Sequence, residues 1–285
     1  MGDGVVVVDK PAGMTSHDVV DRVRKIFKTK KVGHAGTLDP DATGVLLLGI
    51  NRATRFLSYA QASPKSYRTV AVFGVTTSTQ DAAGEILEER PVALSGDDVA
   101  AAMKDFLGTI DQIPPMVSAV KIGGERLYKK ARRGEEVERK PRSATIFEFA
   151  LIDFDSSRAE ATLEVRCSGG TYVRTLVHDL GQKLGCGAHL RALRRTAAGG
   201  FSEADTVPLS DVSESSLLPL VETVRELPRI EIDDEAGRLV GNGRPLVAPG
   251  DVAADGCVAL TVKGRLVAVY KRNGDALVPD RVVGS

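Results

Sequence analysis

Gly33-His34-Ala35-Gly36-Thr37-Leu38-Asp39-Pro40-Asp41-Ala42-Thr43-Gly44 is the stretch of this chain densest in backbone-shaping residues. Its glycines carry no Cβ, so the main chain can come close to a bound molecule. Pro40 biases Asp39 toward an extended conformation, which keeps the Asp39 carboxylate out of a helix. His34 adds a flat ring and Thr37 a hydroxyl. These residues predict a rigid, polar, substrate-facing loop that carries a carboxylate. An Asp-Pro pair on its own is more often just a turn.

The flanks of this loop read as a layered protein. Val45 to Ile50 and the β-branched run Val5 to Val8 predict buried strands. Asp9-Lys10-Pro11-Ala12-Gly13 breaks the first of them. Ser16 is the expected N-cap of a helix with Asp18 in its first turn and Val19, Val20, Val23, Ile26 and Phe27 on one face. Gly33 is the expected end of that helix. A short helix is predicted from about Arg52 to Ala60, and a half-buried strand over Tyr67–Phe73. Ser95 opens another helix, with Val99, Met103, Phe106 and Leu107 toward the core. Strands are expected at Val117–Val120, Ile146–Ile152, Thr162–Cys167 and His189–Thr196, and a helix over Thr171–Leu184. Past Ser210 the chain turns acidic and reads as a connection. Beyond it, Val258–Val262 and Leu266–Tyr270 flank a Lys263-Gly264 hairpin turn.

Composition excludes several classes. The chain has 285 residues, 42% of them hydrophobic and 27% charged, as in a water-soluble globular protein. It holds no apolar run long enough to span a membrane, and Met1-Gly2-Asp3-Gly4 lacks the start of a signal peptide. A cytoplasmic protein is expected. Cys167, Cys186 and Cys257 are few and widely spaced, and with the four histidines they form no metal-ligand spacing, so no metal site is expected. Net charge is zero but unevenly spread. Asp18–Lys31 holds six Lys/Arg against two Asp, and Lys121–Arg142 nine against four Glu. Asp211–Glu235 holds eight acidic residues against two arginines. Such separation suits a polyanion on one side, although solvated helix faces give the same counts.

Five segments in order carry a family resemblance. The loop from Gly33 to Gly44, continued by Val45-Leu46, resembles the catalytic loop of the TruB family of tRNA pseudouridine synthases. Asp9-Lys10-Pro11 through Asp18 resembles that family's first motif, and Lys65-Ser66-Tyr67-Arg68 its tyrosine-bearing strand. Ser168-Gly169-Gly170-Thr171-Tyr172-Val173-Arg174-Thr175-Leu176 resembles its arginine motif. Gly185-Cys186-Gly187-Ala188-His189-Leu190 through Leu193-Arg194-Arg195 resembles the segment closing its pocket. Together they cover roughly the first two hundred residues.

The resemblance implies an α+β pseudouridine synthase fold, with a mixed, mostly antiparallel sheet flanked by helices. It implies isomerisation of uridine 55 in the T-loop of tRNA by base flipping. No metal or organic cofactor and no obligate protein partner is implied, and a monomer is expected. Asp39 would be the catalytic carboxylate, by attack on the ring, attack on the sugar, or a glycal route. Tyr67 would lie against the uracil and serve as a base in the glycal route. Arg174 would pair with Asp39 and keep it ionised. His34 would occupy the opened base stack, with Thr37 and Leu193 at the substrate. Lys10 falls among the same substrate-side residues, and with Pro11 resembles residues that buttress the site.

Residues 1–229 are expected to form the catalytic domain, with a basic RNA-gripping insertion at about 121–142 that includes Lys129, Lys130, Arg132 and Arg133. Residues 230–285 resemble a short PUA-like module, which either helps hold tRNA or only stabilises the chain. Two rival readings are a guide-dependent pseudouridine synthase within a ribonucleoprotein and a non-catalytic RNA-binding module. The first generally has long basic extensions, absent here. The second does not need Asp39, Tyr67 and Arg174.

Overall fold

The structure is a computed structural model and describes residues 2–116, 121–122, 125–126, 133, 137–250 and 252–284. The expected strand over Val117–Val120 and most of the basic stretch, including Lys129, Lys130 and Arg132, lie outside the described residues. Arg133 is described as an exposed turn residue.

In chain order the main elements are β1 (Gly4–Lys10), α1 (Ser16–Ile26), β2 (Val32–His34), β3 (Thr43–Ile50), α2 (Leu57–Ala62) and β4 (Lys65–Phe73). There follow β5 (Val75–Thr77), β6 (Ile86–Glu89), α3 (Gly96–Met103), β7 (Gly108–Gln112), β8 (Arg142–Asp155), β9 (Glu160–Cys167), α4 (Val173–Lys183) and β10 (Ala188–Ala198). The last are α5 (Asp234–Gly241), β11 (Cys257–Val262), β12 (Arg265–Asn273) and β13 (Ala276–Val282). The chain is α+β and forms two compact units.

The first unit comprises Met1–Pro40, Gly44–Ser63 and Ala198–Ser285. In it β1 pairs antiparallel with β3 and parallel with Val207–Pro208, which makes the sheet mixed. The valine run is apolar on both faces because both faces are covered. Val6, Val8, Leu46 and Leu48 pack with Val19, Val20, Val23 and Phe27 of α1 and its end. Val5, Val7, Val45 and Leu47 face Ala53, Leu57, Ala60 and Phe201.

Helix α1 is capped one residue earlier than expected. Thr15 is the N-cap in a capping box with Asp18, while Ser16 is buried and bonded elsewhere. The helix also stops before Gly33: Phe27 is its C-cap, Lys28 takes φ 45°, and Gly33 lies within β2. The expected helix over 52–60 is a 3-10 turn, Asn51–Arg55, followed by α2.

The acidic stretch past Ser210 is more than a connection. Val212 enters the α1-side core, and Val221 and Val224 pack with Phe56, Ala259, Leu266 and Val269. The final sheet runs Arg229–Glu231, β11, β12, β13, Leu246–Val247, with its first pair parallel and the others antiparallel. Lys263 (φ 50°) and Gly264 (φ 72°) form the expected tight turn of its central hairpin. The sheet shares a core with Phe56 and Tyr59, and Tyr59 donates to the Asp280 carboxylate.

The second unit comprises Asp41–Thr43 and Pro64–Ala197. Its strands run β10-β4-β9-β8-β7, and the β4–β9, β9–β8 and β8–β7 pairs are antiparallel. Strand β4 alternates as expected, with Lys65, Tyr67, Thr69, Ala71 and Phe73 inward. Helix α3 is capped by Ser95 and buries Val99 and Met103. Leu107 is 47% exposed, beyond the 3-10 turn that ends the helix, and is not a core residue.

Candidate active site

The loop around Asp39 is held from beneath by the turn between β1 and α1. Lys10 is fully buried, and its Nζ donates to the carbonyls of Pro11 (2.8 Å), Met14 (2.5 Å) and Pro40 (2.8 Å). The Gly13 N–H donates to the same Pro40 carbonyl at 3.0 Å, from a backbone at φ 77° that favours glycine. On the other side of Asp39, Ser16 Oγ donates to the Leu38 carbonyl (3.1 Å) and accepts the Leu38 N–H (2.8 Å). The residues before and after Asp39 are thus both held by their backbone, and the half-buried Asp39 sits between them. A charged donor to carbonyls makes the stronger kind of hydrogen bond, so the Lys10 side is the firmer anchor.

Lys10 therefore spends its ammonium inside the protein, under the loop. Replacing it with methionine keeps the stem and strips a donor from three carbonyls. The expected result is a loss of roughly 3 kcal/mol in stability. Thermal unfolding of the Lys10→Met variant measures it, and an unchanged melting temperature would disprove the anchoring role.

His34 ends β2 and is half-buried. Its ring meets that of His17 edge-on at 5.5 Å between centroids, and its carbonyl accepts from Gln61 Nε2 at 3.1 Å. Thr37 is exposed, on the same loop as Asp39. Lys10, His34, Thr37 and Asp39 all belong to the first unit.

Tyr67, Arg174 and Leu193 belong to the second unit. Tyr67 is 8% exposed on β4, in register with Val165. Leu193 is half-buried on the neighbouring strand β10, where the Thr69 hydroxyl donates to the Ala192 carbonyl at 2.8 Å. Arg174, 5% exposed in the first turn of α4, donates from Nη1 to the Asp81 carboxylate at 2.8 Å and to the Thr79 carbonyl at 3.1 Å.

Asp81 was not among the residues expected from sequence. It lies in the loop joining β5 to β6, where its other carboxylate oxygen accepts from Thr79 Oγ1 (2.5 Å) and the Ala83 N–H (3.1 Å). The same loop is tied to α4 by Thr175 Oγ1 donating to Gln80 Oε1 at 2.9 Å. The available signal was the run Thr77-Ser78-Thr79-Gln80-Asp81-Ala82-Ala83-Gly84, whose short polar side chains fold back on their own backbone. Ser16 fits a cap by its local sequence, and its contact with Leu38, 22 residues away, has no local signature.

Burial pushes the Cys167 thiol up to about 11 and raises Cys186 and Cys257 too, so none is an activated thiolate. Among the described residues, no group of three or more His, Cys, Asp or Glu is placed to hold a metal, and no helix is long and apolar enough to cross a membrane.

Comparison with known proteins gives a consistent family. Residues 24–173 match the model of the TruB family pseudouridylate synthase N-terminal domain, and residues 174–227 that of the tRNA pseudouridylate synthase B C-terminal domain. The chain is 41% identical over 294 residues to a tRNA pseudouridine synthase B of Streptococcus thermophilus, covering 99% of each. It is 42% identical over 288 residues to the protein of that name from Thermobifida fusca, covering 98% of each. Among solved structures it resembles a chain of a Cbf5-Nop10-Gar1 complex, with a TM-score of 0.77 at 28% identity over 98% of this chain and 84% of that one.

Proposed function

The chain belongs to the TruB family of pseudouridylate synthases, and from that premise we propose that it converts the T-loop uridine of tRNA, uridine 55, into pseudouridine. The observation that carries this reading is the anchoring of Leu38 and Pro40 on either side of Asp39, in the segment that resembles the family's catalytic loop. A carboxylate held by its backbone is free of the entropy cost of finding its position during the reaction.

The reaction breaks the C1′–N1 bond, turns the uracil, and joins C1′ to C5. The proton lost from C5 is balanced by one gained at N1, so no oxidant, nucleotide or metal is consumed. Asp39 serves as nucleophile or ion-pair partner through the ring, sugar or glycal route. Tyr67 lies against the base and acts as the proton acceptor in the glycal route. Arg174, held by Asp81, supplies the cation that keeps Asp39 ionised. His34 fills the stack the uridine leaves, Thr37 and Leu193 bound the base, and Lys10 positions the Asp39 loop. Residues 1–229 act as the catalytic domain of a cytoplasmic monomer, and residues 230–285 as a short PUA-like module.

The basic stretch at about 121–142 holds the T-arm through phosphates. Replacing Lys129, Lys130, Arg132 and Arg133 with alanine is expected to weaken tRNA binding. Its dependence on salt should flatten too, the log–log slope falling by about 0.7–0.9 for each phosphate no longer neutralised. The rate at saturating tRNA stays near wild type. Binding unchanged at moderate salt would remove the stretch from the interface.

The direct test is to incubate the protein with unmodified tRNA transcripts, without metal, nucleotide or guide RNA, and map pseudouridine at single-base resolution. Conversion confined to the T-loop uridine supports the proposal. tRNA bound but unconverted would favour a guide-dependent or binding-only protein.

A further inference from the structure

The basic stretch leaves and rejoins its sheet at one rung. Gln112 ends β7, Arg142 begins β8, and the two are direct partners across the pair. A step further out, Arg139 Nη1 donates to the Pro114 carbonyl at 3.0 Å, so both sides of this neck are tied together. The Gln112 side chain does not point to solvent. It is 2% exposed, and its carboxamide meets the backbone of Tyr172 in both directions. Nε2 donates to the Tyr172 carbonyl (3.2 Å), and the Tyr172 N–H donates to Oε1 (3.0 Å).

Tyr172 is the N-cap of α4 and offers that helix no side-chain cap. Arg174 follows two residues later. The segment before it is pinned to β8 as well, since Ser168 N–H donates to the Thr145 carbonyl (2.8 Å) and Thr145 N–H to Ser168 Oγ (2.9 Å). Gln112 therefore engages both backbone groups of Tyr172, the residue at which α4 begins. A carboxamide carries its donor and acceptor on one planar group at the end of a long side chain, and asparagine is one methylene shorter.

We propose that Gln112 is a positioning residue that couples the neck of the basic stretch to Arg174. Resting on the proposed function, this means that RNA held by the stretch and the arginine at the reacting base share one rigid rung. A misplacement of about 1 Å in a catalytic group can cost on the order of 10²-fold in rate. Losing the rung thus lowers the chemical step and leaves RNA binding intact.

Gln112→Met keeps the length and removes both bonds, and Gln112→Asn keeps the carboxamide but falls short. Single-turnover pseudouridine formation at saturating tRNA transcript, tRNA Kd and melting temperature are measured for both in the full chain. The expected result is a fall in rate of roughly 10- to 100-fold with Kd little changed. Should the methionine variant fail to fold, the asparagine variant carries the test alone. A folded variant reacting at the wild-type rate overturns the proposal, as does a loss that lies wholly in Kd. No pseudouridine from the wild-type protein would instead be a failure of the proposed function, recorded before any variant is compared.

Discussion

Asp39→Asn is expected to abolish pseudouridine formation while the protein still folds and binds tRNA. The substitution preserves shape and removes charge. The bonds that anchor the loop come from Lys10, Gly13 and Ser16 to the backbone of Leu38 and Pro40, so they do not depend on the carboxylate. Losing an essential nucleophile or ion-pair partner costs at least about 10³-fold in rate. Single-turnover conversion of a tRNA transcript measures it, with binding followed in parallel. Wild-type conversion by the asparagine variant would remove the carboxylate from the chemistry altogether.

Arg174→Ala should damage both stability and rate. The side chains of Arg174 and Asp81 are 6% and 19% exposed, so removing the arginine strands a largely buried carboxylate. Breaking one side of such a pair costs roughly 3–5 kcal/mol. The more informative variant is Arg174→Lys, which keeps the charge on a flexible stem but loses the planar guanidinium whose Nη1 reaches both Asp81 and the Thr79 carbonyl. It should recover much of the melting temperature and little of the rate. Recovery of both would mean that charge alone suffices at this position, and that the arginine geometry is dispensable.

Local chemistry made much of this fold legible in the sequence. The valine run of β1, the alternation of β4, the Ser95 cap and the Lys263-Gly264 turn each follow from a few neighbouring residues. The elements that escaped depend on distant partners. Ser16 fits a cap in every local respect, but its hydroxyl is engaged by Leu38, and Thr15 takes the cap. Strand β13 accommodates Pro279 by a bulge of its own, since Val269 pairs with Arg281 and Tyr270 with Pro279, which makes Asp280 the extra residue. Helix α5 is short and lies in the last stretch of the chain, where the local pattern predicts only two strands and their turn. For the candidate site, Asp39 and Arg174 were recognisable because their motifs are contiguous. Asp81 was not, since its importance comes from an arginine 93 residues away.

The interleaving of the first unit bears on how the protein is made. Phe56 shares a core with Val269, more than two hundred residues further along the chain. On the ribosome, the amino-terminal strands emerge early yet cannot bury this surface until the final hairpin has been synthesised. The stretch from Pro64 to Ala197 supplies nearly all of the second unit and can complete its contacts in mid-translation. The unit that bears Asp39 consequently completes its core only after the strands β11 to β13 have been made.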